Sequence, residues 1–109
     1  MDKTDGPYML GAELWPGLSK LLEECGEVQQ VVGKIIGIGG DDVLHWDGTN
    51  LRERLQEELS DLKCAIDFVM WHNDLDQNFM GDRYGKKWNL YCEWHQKHKE
   101  RMKTLRGVK

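Results

Sequence analysis

Apolar residues recur at helical intervals along two stretches of the chain. At about 100° per residue, Leu18, Leu21, Cys25, Val28, Val32 and Ile35 form one stripe. Leu51, Leu55, Leu59, Leu62, Ile66 and Val69 form a second. Trp15-Pro16 marks the first helix, since proline is tolerated in a first turn where its missing N–H has no partner to lose; the pattern carries that helix to about Ile36. Asn50, followed three residues on by Glu53, reads as the cap of a helix reaching about Trp71. Asn73-Asp74-Leu75-Asp76 makes a short turn, with Asp76 capping a third helix that extends towards residue 105. Tyr84, Trp88, Tyr91 and Trp94 recur along it as core or interface aromatics. No strand pattern of convincing length interrupts this. The expected fold is all-α: one domain over residues 1–109, three main helices per chain, and a helical bundle completed by homo-oligomerisation.

The segments between and beyond the helices carry less pattern. Residues 37–50 hold four glycines and no periodicity, a loop long enough for function to be expected in it. Its Gly37-x-Gly39-Gly40 lacks the Gly-Lys-Ser/Thr of a nucleotide-binding P-loop, and no strand precedes it. His45 and Trp46 offer a stacking face to a base, or else cap the open end of the bundle. Residues 1–13 read as a loose arm or a short cover, and beyond Lys97 the third helix is expected to fray.

Each of the first two helices carries a pair of acids three residues apart beside its stripe. Glu24 and Glu27 lie roughly 70° and 130° from the centre of the first, and Glu58 and Asp61 roughly 60° and 120° from the centre of the second, in the same rotational sense. Antiparallel packing of stripe on stripe then brings the four carboxylates to one side. Such a group repels itself, and a divalent cation is the usual reason it persists. All-oxygen ligation suits Mg²⁺ or Mn²⁺, and the lack of His or Cys among the four argues against Zn²⁺. The alternative is that these acids are solvated flanks of ordinary amphipathic helices. A carboxylate-bridged di-iron bundle would want Glu-x-x-His, whereas Glu24 leads to Glu27, Glu58 to Asp61 and Glu93 to Gln96.

The Glu23-Glu24-x-x-Glu27 and Glu58-x-x-Asp61 motifs resemble the signature of the all-α, MazG-like nucleoside triphosphate pyrophosphohydrolases. The likeness extends to Leu14-Trp15, Leu18, Gly33-Lys34, the His45-Trp46-Asp47-Gly48 loop, Asn73-x-Leu75-Asp76, Arg83-x-x-x-Lys87 and Tyr91-x-x-Trp94-His95, covering most of residues 14–95. The resemblance implies Mg²⁺ held by Glu24, Glu27, Glu58 and Asp61, with Mn²⁺ a substitute. It also implies hydrolysis of a nucleoside triphosphate, with a deoxynucleotide the expected substrate, between its α and β phosphates. Glu23 and Glu27 are then the candidates for the catalytic base, Glu27 being favoured for its place on the carboxylate side. Lys34, Arg83 and Lys87 would contact phosphates, Trp46 the base, and Asn73 the sugar or base. Homodimers and tetramers are both compatible with the family.

Composition narrows the alternatives. With 109 residues, 39% hydrophobic and 31% charged, the chain is a globular domain whose core gains from burial against a second copy. No apolar run approaches a membrane span and no basic-then-apolar leader opens it, so a cytoplasmic protein is expected. Cys25, Cys64 and Cys92, odd in number and without a C-x-x-C pairing, read as reduced thiols. The net charge of −4 hides an asymmetry: residues 1–82 hold 17 acids against 6 Lys and Arg, and residues 83–109 hold 9 Lys and Arg against 2 acids. Acids facing a basic helix suit a metal-bound polyphosphate, although simple charge compensation within a bundle predicts the same asymmetry. A nucleic-acid-binding domain would be basic overall, and none is expected as a partner. A metal-free helical interaction module remains the competing reading, because amphipathic stripes are all it requires.

Overall fold

The computed structural model describes residues 14–39 and 47–107. It is all-α: α1 spans Leu18–Ile38, α2 Leu51–His72 and α3 Gln77–Gly107, with no strand among the described residues. None of these helices is long and apolar enough to cross a membrane. The chain divides into one unit ending at Leu75, which holds α1 and α2, and another beginning at Asp76, which holds α3.

Local chemistry sets the boundaries. Asn50 caps α2 as its sequence suggests, its side-chain oxygen accepting the Glu53 N–H at 3.0 Å. Asp76 does the same for α3, accepting from the Phe79 N–H at 3.0 Å. α1 begins later than the Trp15-Pro16 pair predicts, because Gly17 turns into the left-handed region at φ 95° and the helix starts only at Leu18. It ends on a second left-handed glycine, Gly39, whose N–H donates to the Ile35 carbonyl at 3.2 Å. α3 continues to Gly107, past the point where its apolar pattern stops. The Lys-, Glu- and Arg-rich run there favours helix by intrinsic propensity, and Thr104 donates its hydroxyl proton to the Glu100 carbonyl at 3.0 Å.

α1 and α2 pack antiparallel, the start of α1 meeting the end of α2: a side chain at Gly17 would collide with Phe68 and Val69, while Arg54 lies beside Glu27. The contact faces are Gly17, Leu21, Glu24, Val28, Val31 and Ile35 on α1, and Leu51, Leu55, Glu58, Leu62, Ala65 and Val69 on α2. Both alternate steps of four and three residues. This corrects the expected stripes. Val31 replaces Val32, Glu58 replaces Leu59 and Ala65 replaces Ile66, which rotates each face by roughly 30–50° towards its acids. The reason is steric: glycine and alanine at Gly17 and Ala65 let the backbones approach where bulkier stripe residues would hold them apart. Leu18, Val32, Leu59 and Ile66 are left exposed along one edge of the pair.

α3 is a basic helix with an aromatic stripe and no buried residue. Tyr84 stacks on Trp88 with ring centroids 6.3 Å apart, Tyr91 tilts against Trp94 at 5.7 Å, and the Lys87 ammonium lies 6.0 Å from the Tyr91 ring centre.

Candidate functional site

The rotation of the α1 and α2 faces moves two of the acids from the flank into the helix contact. Glu58 is 4% exposed, the buried charged residue among those described, and Glu24 is half-buried opposite it. Glu24, Glu58 and Asp61 each place a carboxylate oxygen within 4.8 Å of the others. Oxygens sharing one Mg²⁺ at about 2.1 Å stand roughly 3–4 Å apart, so modest side-chain adjustment would bring all three onto one ion. The donor set is hard oxygen throughout, which fits Mg²⁺ or Mn²⁺.

The fourth expected ligand, Glu27, stays outside this group. One turn along from Glu24, it faces Arg54, whose Nη2 lies 3.9 Å from its Oε2 and 2.9 Å from Glu58 Oε1. The other guanidinium nitrogen is 3.7 Å from Glu57. A single Arg54 thus supplies positive charge to three carboxylates. Glu24 has no such partner among the described residues, and its carboxyl is held above the ordinary value of 4.5, first by partial burial and then by the repulsion of Asp61, Glu58, Glu23 and Glu27.

That shift predicts how pH acts on the metal-free fold. Between its ordinary and its raised value, Glu24 holds more proton in the folded chain than in the unfolded one, so stability falls as pH rises through that window. Melting in chelator across mildly acidic pH should show this decline, and Glu24→Gln should flatten it. A Glu24→Gln slope equal to that of wild type would remove Glu24 as its cause.

Beside the three acids, a cleft of about 250 Å³ opens between α1 and α2. Glu24 and Asp61 line it with Lys20, and Cys64, Ala65 and Phe68 form its apolar wall, closed by Gly17. Phe68 is braced by His72, their ring centroids 4.0 Å apart. Lys20 lies one turn before Glu24 on the same side of α1, and its Nζ is 3.0 Å from Glu23 Oε2. Lys20 is not among the residues expected at the site, and its i,i+4 relation to Glu24 is the signal in the sequence for its place beside the acids.

The other expected site residues are distributed more widely. Lys34 is exposed, ten residues and about 15 Å along α1 from Glu24, and it does not line the cleft. Asn73 donates its amide hydrogens to the carbonyls of Pro16 at 2.9 Å and Val69 at 2.8 Å, tying the end of α2 to the entrance of α1. Arg83 and Lys87 flank a groove on α3 with Phe79, Tyr84 and Trp88. Trp46 lies outside the described residues. Gly26, between the acids of α1, has open space where a side chain would stand, so nothing described in this chain approaches it closely.

No family model, curated protein or solved structure matches the chain.

Proposed function

We propose that the protein hydrolyses nucleoside triphosphates, with deoxynucleotides the preferred class, between the α and β phosphates in a Mg²⁺-dependent reaction. The supporting observation is the convergence of Glu24, Glu58 and Asp61, from two helices, at one end of a cleft. Those three carboxylates would hold the ion, which when bound offsets phosphate charge and lowers the pKa of a coordinated water. In this reading Glu27, one turn from Glu24 and outside the three-acid group, would accept the proton of the attacking water. The water oxygen bonds to the α phosphorus as the bond to the bridging oxygen breaks, leaving a monophosphate and pyrophosphate. Glu23, the other candidate base, is engaged by Lys20. Arg83 and Lys87, four apart on one groove, would serve the phosphate chain once copies of the chain assemble, and the exposed edge of Leu18, Val32, Leu59 and Ile66 is the surface such assembly would cover.

A metal-free interaction module draws support from Arg54, which gives the buried Glu58 a cation from within the chain. The two readings part on simple measurements. A panel of NTPs and dNTPs with Mg²⁺ should release pyrophosphate and not orthophosphate, and Mg²⁺ should raise the thermal midpoint, since a ligand that binds only the folded state stabilises it. Silence in both assays would favour the interaction module.

A further inference from the structure

Resting on the nucleotide reading of the same cleft, we infer that Lys20 grips the substrate's phosphate chain, released to it by Glu23, while the apolar wall of Cys64, Ala65 and Phe68 receives the base. Lys20 is the basic residue on the cleft wall that also carries Glu24 and Asp61. Its resting partner is replaceable. The Lys20 and Glu23 side chains are 32% and 54% exposed, and an ion pair so open to water is weak. Phosphate oxygens carry more charge and offer several acceptors, so they compete well for the ammonium. Arg54 on α2 is already shared among Glu27, Glu57 and Glu58 and does not line the cleft.

The cleft also has a direction. Its acids, Glu24 and Asp61, stand apart from Phe68, which lies seven residues and about 10 Å along α2 from Asp61, and Lys20 stands between them, three residues from the Gly17 that abuts Phe68. That span is comparable to the reach from base to phosphate chain in an extended nucleotide. A volume of about 250 Å³ falls just below the roughly 300–1,000 Å³ of small-molecule pockets, enough for part of a nucleotide with the rest over the open acids.

The test is equilibrium binding in Mg²⁺ of two kinds of probe: the four α,β-methylene 2′-deoxynucleoside triphosphates, which resist cleavage at the relevant bond, and inorganic tripolyphosphate. Lys20→Met should weaken both kinds about tenfold, as loss of a charge-assisted contact does, and Lys20→Arg should restore most of the affinity. Glu23→Gln should tighten both several-fold by freeing Lys20. Phe68→Leu should weaken the nucleotides and spare tripolyphosphate. Melting curves without ligand establish that each variant is folded. If wild type binds a nucleotide and Lys20→Met binds it equally well, the assignment of Lys20 is overturned while the nucleotide reading stands. If wild type binds none of the probes, the nucleotide reading itself fails and takes this assignment with it.

Discussion

Replacing Glu58 by Gln is expected to abolish turnover while leaving the metal-free fold in place. Two opposing effects act on stability without a cation. The substitution relieves repulsion on Glu24 and Asp61, and it weakens the pairing with Arg54. An amide oxygen still accepts from the Arg54 guanidinium, which is nearly half exposed and keeps its solvation, and the change removes a buried charge. The net change should therefore be small. With Mg²⁺ present the sign becomes clear, because a neutral amide is a poorer ligand for a hard cation and the metal-dependent rise in midpoint should shrink. On the proposed function, turnover should fall by orders of magnitude, because the ion that would position phosphates and activate water loses a ligand. Melts with and without Mg²⁺ beside a pyrophosphate-release assay decide the matter. Wild-type turnover in Glu58→Gln would return Glu58 to an ordinary structural role.

The convergence at Glu58 was legible from residue spacing, but its burial was not. Equal angular offsets of the two acid pairs are enough to put Glu24, Glu58 and Asp61 on one side of an antiparallel contact. The stripes of strongest apolar character, however, set the faces at Leu18 and Val32, and at Leu59 and Ile66, all four of which are exposed. Hydrophobicity measures what gains from burial and says nothing of how near two backbones can come. Gly17 and Ala65 decide that, and both are nearly silent in an apolar pattern. The caps at Asn50 and Asp76 were readable because an Asn or Asp side chain meets its own helix three residues on, a wholly local matter. The hydrogen bond from Asn73 had no such local signal, because its partner, the Pro16 carbonyl, lies 57 residues away in sequence. Lys20 pairs locally with Glu23, and only the fold shows that it lines a cleft together with Asp61 and Phe68 of α2.

Gly17→Ala is expected to be the most destabilising single-methyl change in the α1–α2 unit. Gly17 holds φ at 95°, a conformation that disfavours any side chain by about 1–2 kcal/mol. Its added Cβ would also stand 2.8 Å from Phe68 Cδ1 and 3.0 Å from Val69 Cγ2. Val69 is buried and Phe68 is stacked on His72, so neither can yield freely, and overpacking of this kind costs about 1–3 kcal/mol. Together these amount to roughly 2–5 kcal/mol, which in a small domain lowers the midpoint by on the order of 10 °C or more. Gly26→Ala gives the opposite sign: it lies inside α1 with open space around it, and the substitution should stabilise the helix by about 1 kcal/mol. The two effects at Gly17 can be separated, because Phe68→Leu removes most of the collision and none of the backbone strain. The double variant should therefore lose less stability than the sum of its single changes, as contacting residues do. Strict additivity, or a Gly17→Ala protein that melts with wild type, would show that the end of α2 does not press on the entrance of α1. The cleft would then lose the closed end that Gly17 and Phe68 give it.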